Sequence, residues 1–327
     1  MKNLIPANSG PRNRQTRFSW YFRASRNMVI CINYITFIGM SSLILVAAAW
    51  SADPLVLQSD FGVKDSAVAS MKGVAVSVSR DLDIYDLTHE VPAFNIWEAS
   101  LRLAQTAEYW PKGTVFVSVV DPGVGTARKS VVLKTKSGHF FVSPDNGSLT
   151  AVAELLGIEA VREIDEAVNR LANSEKSYTF HGRDVYAYTG ARLAAGVISF
   201  DEVGGELAPE VLMIPYQKPG YENGLLQGNI EILDPQYGNI WTNIDRTTFN
   251  HLMLTAGDQV SIKISNSDTT VLEITLPYFP TFGQVPVGKP LLYLNSLNRV
   301  ALAINQGNFS ATYNIQSGAS WKIEITK

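Results

Sequence analysis

From residue 55 to about residue 215, the chain alternates between short apolar runs and amphipathic segments. The apolar runs predict β-strands at 55–58, 83–87, 114–120, 130–135 and 139–143. Apolar side chains at helical spacing predict helices at about 67–78, 95–109, 148–156 and 184–195. The run 114–120 is rich in β-branched residues, as are strands buried in a parallel sheet. This alternation predicts an α/β domain with a mainly parallel central sheet.

The pattern changes after about residue 215. A turn-forming segment at 219–224 is followed by short alternating runs at 225–233, 260–264, 271–276, 291–294, 300–304 and 321–325. Gly, Asn and Pro separate these runs, which favours antiparallel strands in a small barrel or sandwich. We therefore predict a leader at 1–52, an α/β catalytic domain at 53–218 and a C-terminal β domain at 219–327.

The first 52 residues have the pattern of a targeting segment. They contain six basic and no acidic residues, and residues 28–50 contain no charged residue. A basic start, an apolar middle and small residues at the end are typical of a secretory signal peptide. The apolar run is also long enough to span a bilayer, so an uncleaved membrane anchor stays open as an alternative. A wrongly assigned start codon is the third alternative, and the first two predict an exported protein, periplasmic or secreted.

Charge and cysteine content narrow the function classes. The formal net charge is −3, and all 30 acidic residues lie after the leader. The rest of the chain therefore lacks the net positive charge that nucleic-acid-binding domains use. The single cysteine, Cys31, lies in the leader. The rest of the chain has no disulfide, no thiolate nucleophile and no cysteine metal ligand.

Polar side chains follow three of the predicted strands. Asp60 comes after the first strand, Thr88 and His89 after the second, and Asp121 after the third. In parallel α/β sheets, ligands bind beyond the carboxyl ends of the strands. An Asp in a tight turn is also a common loop cap, which is the alternative for each residue taken alone. Together, the three strand ends predict a binding site at this edge of the sheet.

The segment 121–128 is the richest of these loops, with the sequence Asp-Pro-Gly-Val-Gly-Thr-Ala-Arg. Its two glycines allow the backbone to approach a ligand closely. The planar guanidinium of Arg128 suits a two-point contact with the carboxylate of Asp121. The segment is not a phosphate-binding loop, because no Gly-Lys-Ser/Thr follows, and it lacks the spacing of a dinucleotide-binding motif.

His181 precedes a predicted helix, in the sequence Phe-His-Gly-Arg-Asp at 180–184. A lone histidine is often structural, which is the alternative here and our interpretation of His89, His139 and His251. No two histidines have the spacing of zinc ligands, so we predict no metal site. The Gly-x-Ser-x-Gly motif of many serine hydrolases is also missing from the sequence.

A second polar and aromatic segment lies at 234–243. Its Tyr, Trp and Asn side chains are suited to stacking on a purine and bonding to its edge. A strand and turn with a core Trp would produce the same pattern. Both interpretations stay open from these residues alone.

Taken in order, these segments resemble the S-adenosyl-L-methionine (SAM) hydroxide adenosyltransferases, relatives of the fluorinase and chlorinase enzymes. The resemblance extends from about residue 55 to residue 325. Its motifs are Asp-Phe-Gly at 60–62 with Asp65, Met-Lys-Gly at 71–73, Asp-Leu-Thr-His at 86–89, the segment 121–128, Pro-Asp-Asn-Gly at 144–147, the segment 180–184, Tyr-Gly-Asn-Ile-Trp-Thr-Asn at 237–243 and Tyr-Leu-Asn-Ser at 293–296. So many motifs in one order make the resemblance specific.

The resemblance implies an N-terminal α/β domain, a C-terminal antiparallel β-barrel domain, and a homotrimer whose sites lie between subunits. It implies SAM as the substrate and no cofactor. Asp121, Arg128 and His181 match the residues that hold water in the hydrolytic branch. The positions matching substrate contacts are Asp60 at the ribose, Asp65, Asp234 and Ser296 at the methionine, Asn239 at the adenine, and Phe94, Phe180 and Tyr237 along the walls.

Two positions favour the hydrolases over the halogenases within this resemblance. The halogenases carry Tyr where Asp121 stands, and the fluorinase carries Ser where Gly182 stands. The chain also lacks the long fluorinase insertion at the turn 137–138. A carboxylate at position 121 repels a halide but accepts a proton from water. Ser66, Ala67 and Leu297 depart from the polar substrate shell of the fluorinase.

We therefore expect hydrolysis of SAM to adenosine and L-methionine by attack of water or hydroxide at C5′. Two alternatives stay open: a non-catalytic nucleoside- or SAM-binding protein of the cell envelope, and a halide-dependent adenosyl transferase. Besides the substrate, the expected partners are further copies of the chain. We expect no nucleic acid, and a membrane contact only through residues 28–50.

Overall fold

The computed structural model describes residues 52–327. The signal peptide or anchor predicted at 1–52 lies outside the described residues except for its last residue, and it stays a prediction. In the described part of the chain, no helix is both long and apolar enough to cross a membrane.

A seven-stranded sheet forms the N-terminal part of the described chain. Its strands are β1 (Leu55–Ser59), β2 (Ile84–Thr88), β3 (Val115–Val119), β4 (Ser130–Thr135), β5 (Phe140–Pro144), β6 (Ile158–Glu163) and β7 (Glu206–Leu207). The helices around it are α1 (Ala67–Val78), α2 (Ile96–Ala107), α3 (Thr150–Leu156), a π-helical turn (Gly182–Ala187), α4 (Tyr188–Ala194) and a 3-10 turn (Phe200–Glu202).

The strand order is β2-β1-β3-β5-β4-β6-β7. The strands β2, β1, β3 and β5 are parallel, whereas β4, β6 and β7 extend the sheet with antiparallel pairs. The predicted α/β class is confirmed, as a mixed sheet with a parallel core. The sequence pattern did not predict β6, because charged residues (Glu159, Arg162 and Glu163) interrupt its apolar positions.

Helices cover both faces of the parallel core. On one face, Met71 of α1 and Ala191 of α4 pack in the same cluster as Leu57 of β1. On the other face, Leu103 of α2 packs in a cluster with Val56. Because neighbouring residues of a strand point to opposite faces, β1 is buried at every position. The one edge left open to a ligand is where these strands end.

The C-terminal part is an antiparallel barrel. Its elements are β8 (Gly220–Glu222), β9 (Leu225–Leu233), β10 (Ile240–Asp245), α5 (Arg246–Phe249), a 3-10 turn (Asn250–Leu252), β11 (Gln259–Asn266), β12 (Thr269–Pro277), a 3-10 turn (Phe282–Gln284), β13 (Pro290–Leu294), β14 (Arg299–Ile304), α6 (Phe309–Tyr313) and β15 (Trp321–Thr326). The order β12-β11-β15-β9-β10-β14-β13 brings the two end strands together. There, the backbone N–H of Phe279 donates to the carbonyl of Leu292 at 3.0 Å. The sheet is thus nearly closed, which confirms a barrel over a sandwich.

The helix predicted at 184–195 begins two residues earlier, at Gly182, and its first six residues are π-helical. A π-helix has wider turns than an α-helix and occurs mostly as a single turn, often at functional sites. Hydrophobic spacing does not distinguish one such turn from ordinary helix, so only the structure reveals it.

Candidate active site

Two of the polar residues that were expected at this edge, Asp60 and Asp121, come together at the carboxyl ends of β1 and β3, whereas Thr88 and His89 do not join them. A cavity of about 240 Å³ lies there. Asp60, Asp121 and His181 all line it, which brings the predicted ribose-binding residue together with two of the three predicted water-holding residues. The remaining lining residues are mainly apolar: Phe61, Ala93, Phe94, Val119, Val124, Thr179 and Gly182.

Arg128 folds back onto Asp121 across the glycine-containing turn. Its Nε donates to both carboxylate oxygens, at 2.9 and 3.0 Å, and its Nη2 donates to Oδ2. Burial acts to lower the pKa of Arg128, but the hydrogen bonds to Asp121 and the attraction of nearby acidic groups together outweigh it and raise that pKa. The side chains of Asp121 and Arg128 are only 5% and 10% exposed. The result is a shielded, charged pair held in one geometry.

Arg128 also determines the tautomer of His181. Its Nη2 lies 3.2 Å from the Nδ1 of His181. A guanidinium only donates, so Nδ1 accepts and the proton of the neutral ring sits on Nε2. Burial lowers the pKa of His181 below its ordinary 6.5, which favours the neutral ring. Nε2 is buried without a hydrogen-bond partner among the described residues, so the ring keeps an unused donor in a residue that lines the cavity.

Two further side chains, those of Ser130 and Tyr186, contact Arg128. Its Nη1 donates to Ser130 Oγ at 3.2 Å, and Ser130 Oγ lies 3.0 Å from the hydroxyl of Tyr186. The guanidinium also lies over the Tyr186 ring, 5.8 Å from its centroid. Burial raises the pKa of Tyr186, so its hydroxyl stays protonated. Arg128 therefore contacts Asp121, His181 and Ser130 at once.

Asp60 lines the same cavity from the loop after β1. Its Oδ2 accepts a hydrogen bond from the backbone N–H of Phe94 at 2.9 Å. Phe94 has a φ of +66° and is 71% exposed. A bulky residue with positive φ is rare and costs energy. The hydrogen bond to Asp60 and this strained backbone conformation both occur at Phe94, in the wall of the cavity.

Gly182 closes the base of the cavity. A Cβ at this position would lie 3.0 Å from Phe61 Cε2 and 3.2 Å from Val119 Cγ1. Both distances are tighter than ordinary contact, so a side chain here would displace Phe61. Close packing against Phe61 and Val119 explains why glycine follows His181.

Two other residues predicted in the substrate shell lie outside this cavity. Asp65 Oδ1 accepts a hydrogen bond from the backbone N–H of Ala67 at 2.8 Å, at the start of α1. Phe180 packs edge-on against Phe61, with ring centroids 5.8 Å apart, and Arg183 lies over its ring at 4.8 Å. Phe180 thus supports the wall through Phe61.

The predicted residues of the barrel form a second group, at the turn between β9 and β10. Asp234 Oδ1 accepts from the backbone N–H groups of Gln236 and Tyr237, at 3.0 and 3.2 Å, and Asn239 donates to Oδ2 at 3.4 Å. Tyr237 and Asn239 line a cavity of about 610 Å³. Its other walls are amide and apolar groups: Gln236, Phe282, Ile304, Asn305, Gln306, Gly307 and Asn308.

Within one chain, these predicted residues form separate half-sites. We call Asp60, Asp121, Arg128 and His181 the N-terminal half-site. We call Asp234, Tyr237 and Asn239 the barrel half-site. The cavities of the two half-sites have no lining residue in common. Ser296 lies in a third depression, of about 310 Å³, beside Gln105, Glu108 and Tyr109.

The sequence patterns missed Ser130 and Tyr186. Both are fully or nearly fully buried and lie in segments whose sequence pattern predicts a strand and a helix. A polar Ser at the first position of an apolar strand is the one signal that was available for Ser130. Among the described residues, no group of three or more His, Cys, Asp or Glu side chains is arranged to hold a metal ion.

The sequence matches two family models along most of the described chain. One, described as the SAM hydroxide adenosyltransferase N-terminal domain, matches residues 55–204. The other, described as the C-terminal domain of the same family, matches residues 228–322. The chain belongs to the SAM hydroxide adenosyltransferase family. This confirms the resemblance stated from the motifs.

The related proteins are named either S-adenosyl-L-methionine hydrolase or fluorinase. An (R)-S-adenosyl-L-methionine hydrolase from Methanocaldococcus jannaschii is 36% identical over 66% of this chain and 75% of its own length. A hydrolase of the same name from Thermus thermophilus is 31% identical over 81% of this chain and 97% of its own length. A fluorinase from an Actinoplanes species is 29% identical over 85% of this chain and 99% of its own length. The family is therefore one of SAM-cleaving enzymes.

A solved structure has the same fold. An uncharacterized conserved protein from Thermotoga maritima superposes with a TM-score of 0.75 and is 34% identical. The alignment covers 84% of this chain and 100% of that one. The two proteins thus share this fold over nearly the whole described chain.

Proposed function

We propose that this protein hydrolyses SAM to adenosine and L-methionine. The observation that carries the proposal is the buried, unpartnered Nε2–H of His181, a residue that lines the same cavity as Asp121. One group donates and the other accepts, so together they match the two needs of a water molecule. Their mutual partner, Arg128, holds both in place.

Because of the leaving group, a site that positions and activates a water molecule is enough for this reaction. In SAM, methionine is attached to C5′ as a sulfonium and leaves as a neutral thioether. The C5′–S bond breaks with its electron pair going to sulfur, while the water oxygen forms the new bond to C5′. No acid is needed to protonate the leaving group, so the enzyme's task is to activate and aim the nucleophile, since water has a pKa of about 15.7.

Each member of the N-terminal half-site has a role in aiming that water. Asp121 accepts a proton of the water through Oδ1, which takes only one hydrogen bond from Arg128 and retains a lone pair. The Nε2–H of His181 donates to the water oxygen. Fixing the water in line with the C5′–S bond turns an encounter into an intramolecular step. Asp60 has its Oδ1 free to accept from the ribose hydroxyls.

The barrel half-site supplies the adenine and methionine contacts in this proposal. Because the two half-sites are separate within one chain, we propose that each site forms between subunits, in the homotrimer that the family resemblance implies. The N-terminal half-site of one subunit then faces the barrel half-site of its neighbour. What supports this is that neither cavity alone presents groups for the whole substrate.

A halide-dependent transfer is the second candidate, since the fluorinase relatives match as much of the chain as the hydrolases do. The charge of Asp121 argues against it. This carboxylate lines the cavity next to the predicted reaction centre and would repel a halide ion. A non-catalytic SAM-binding protein is the remaining alternative, and it leaves the buried His181 donor without a role.

We test the proposal with the full-length chain and SAM in ¹⁸O-labelled water, followed by mass spectrometry. Hydrolysis predicts one ¹⁸O in adenosine and an equal amount of methionine. A parallel reaction with chloride or fluoride measures any 5′-halogenated nucleoside. Tight SAM binding without adenosine would overturn the proposal in favour of a binding protein, and a halide-dependent product would favour the second candidate.

We further propose that residues 28–50 direct export of the protein. The support is the leader pattern alone: a basic start, an uncharged apolar run and small residues after it. Fractionation of cells that express the full-length chain locates it. Recovery from the cytoplasm at full length would contradict the proposal, whereas a shortened form outside the inner membrane supports cleavage.

A further inference from the structure

A chain of hydrogen bonds runs from α1 to the end of β1, directly behind Asp60. Lys72 Nζ lies 2.6 Å from Asp86 Oδ2, and Asp86 Oδ1 lies 3.0 Å from His89 Nε2. On the other side of the ring, His89 Nδ1 lies 2.7 Å from Ser59 Oγ. The His89 ring thus connects the ends of two neighbouring parallel strands, β1 and β2.

The donors in this chain have one consistent order. The charged Lys72 donates to Asp86, and the carboxylate accepts, so Nε2 of His89 carries the proton. The Nδ1 of His89 then accepts from the Ser59 hydroxyl. Ser59 Oγ in turn accepts from the backbone N–H of Phe61 at 3.3 Å.

This network surrounds the backbone of Asp60. Asp60 stands between Ser59 and Phe61, which are linked by the Ser59 hydroxyl. Past it, the backbone N–H of Gly62 donates to the carbonyl oxygen of His89 at 2.7 Å. His89 therefore holds the loop 59–62 twice, once through its ring and once through its main chain.

The order Ser59, His89, Asp86 is that of a serine hydrolase triad, but the burial excludes that role. Ser59 is 0% exposed and His89 is 3% exposed. A nucleophile must reach its substrate, and Ser59 Oγ points into the protein. The network can act on the site through the loop 59–62, which carries Asp60.

We propose that His89 is a positioning residue: its bond to Ser59 holds the loop that presents Asp60 to the ribose. The inference rests on the proposed function, and it assigns to His89 a role in substrate affinity and none in the chemical step. A shift of Asp60 by a fraction of an ångström weakens its contact with the ribose hydroxyls. Asp121 and Arg128, in the loop between β3 and β4, and His181, directly before the π-helical turn, stay in place.

The chain offers a matched control. His139 is also buried, at 4% exposure, and is also held by a serine, with Ser137 Oγ 2.9 Å from Nδ1 and the Trp110 carbonyl 3.1 Å from Nε2. His139 lies directly before β5, at the opposite end of the sheet from the strand ends that form the cavity. The His139→Ala substitution therefore removes the hydrogen bonds of a similar buried histidine and leaves the loop that carries Asp60 intact.

The experiment compares steady-state kinetics of the full-length wild type, His89→Ala, His89→Asn, Ser59→Ala and His139→Ala. We expect His89→Ala and Ser59→Ala to raise KM for SAM about tenfold and to change kcat less than about threefold. The Asn amide oxygen takes the place of Nδ1 and still accepts from Ser59, so His89→Asn should recover most of the affinity. His139→Ala should lower the melting temperature and leave KM unchanged.

An equal rise in KM for His89→Ala and His139→Ala would overturn the proposal, because it would mean general loss of structure. So would an unchanged KM in Ser59→Ala, which removes a single oxygen and tests the contact even where His89→Ala folds poorly. If the wild type binds SAM without turning it over, the proposed function fails by itself. The positioning role is then decided by calorimetry, where an unchanged dissociation constant in Ser59→Ala overturns it.

Discussion

At the scale of single residues, the site depends on one ion pair and one imidazole. Arg128 engages Asp121 through two nitrogens and uses a third contact to fix the His181 ring. The two acceptors that face it, Asp121 and Nδ1 of His181, are both satisfied. What is left over is the Nε2–H of His181 and the free lone pairs of Asp121, and these two are what a water molecule requires.

Replacing Asp121 by Asn should lower kcat far more than it weakens substrate binding. The amide keeps the shape of the carboxylate but does not accept a proton from water, and general-base catalysis contributes on the order of 10²- to 10⁴-fold. We expect a loss of kcat in that range with KM within about threefold of wild type. Steady-state kinetics of Asp121→Asn measure both. The control is Asp201→Asn, an exposed carboxylate paired with Arg162, and equal changes in kcat and KM for Asp121→Asn would mean that Asp121 only shapes the pocket.

The buried His181 predicts a loss of activity on the acid side. Its pKa is lowered in the folded protein, so the neutral ring persists from high pH down to below pH 6.5. At lower pH, protonation places a hydrogen on Nδ1, against Arg128, and kcat/KM should fall. By linkage, the same shift stabilises the fold above pH 6.5, and this contribution is lost as pH falls through the lower, folded-state pKa. His181→Gln keeps a donor but does not titrate, so an acid limb unchanged in this variant would assign the limb to another group.

At the scale of elements, the π-helical turn brings together two side chains that contact Arg128, those of His181 and Tyr186. His181 precedes it and Tyr186 lies within it, five residues later. Both side chains reach Arg128, one through Nδ1 and the other through its ring and Ser130. The wider spacing of a π-helix places residues i and i+5 on one face, which an α-helix of the same sequence would not do.

The helix that follows this turn must approach the sheet closely, and this predicts an asymmetric pair of Gly→Ala variants. A Cβ on Gly190 of α4 would lie 2.3 Å from Val117 Cγ2 of β3. Gly190→Ala should therefore destabilise the fold by about 1–3 kcal/mol through overpacking. Gly73 of α1 is exposed with nothing within 4 Å of its Cβ position, so Gly73→Ala should stabilise by roughly 0.5–1 kcal/mol. Urea unfolding of both variants measures this, and equal stability of the two would refute the packing argument.

At the scale of the whole molecule, the separate half-sites predict complementation between inactive variants. In the proposed trimer, Asp121→Asn damages the N-terminal half-site and Asn239→Ala damages the barrel half-site. Co-expression produces mixed oligomers in which about a quarter of the sites combine two intact halves from different subunits. Activity should return to a similar fraction of the wild type. If each site lies within one chain, the mixed sample stays as inactive as its two components.

A second prediction concerns the junction of the barrel with the α/β part. Glu231 of β9 is 4% exposed, and its carboxylate pairs with Arg299 of β14 at 2.6 Å, beside Glu154 of α3 in one shared cavity. Burial raises the pKa of Glu231 despite the attraction of Arg299. Arg299→Met leaves this carboxylate buried and unpaired, which should cost about 3–5 kcal/mol. Thermal unfolding measures the loss, and Glu231→Gln with Arg299→Met should recover part of it, whereas no difference would show that water already shields Glu231.

Apolar periodicity and sequence motifs were enough to predict the fold class, most strand and helix positions and the family. Apolar periodicity reports burial directly, and the motifs at 121–128 and 180–184 carry enough specific residues to be recognised without coordinates. The same motifs identified Asp60, Asp121, Arg128 and His181, and the structure places three of them around one cavity with the fourth between two of its members.

Only the tertiary structure decided how these residues act. The tautomer of His181 depends on Arg128, which is 53 residues away along the chain, and the His89–Ser59 contact joins strands 30 residues apart. The π-helical turn, the barrel closure and the separation of the two half-sites likewise result from long-range packing. Sequence patterns report which side chains are buried, whereas hydrogen-bond partners depend on where distant segments meet, and that is settled only when the chain is folded.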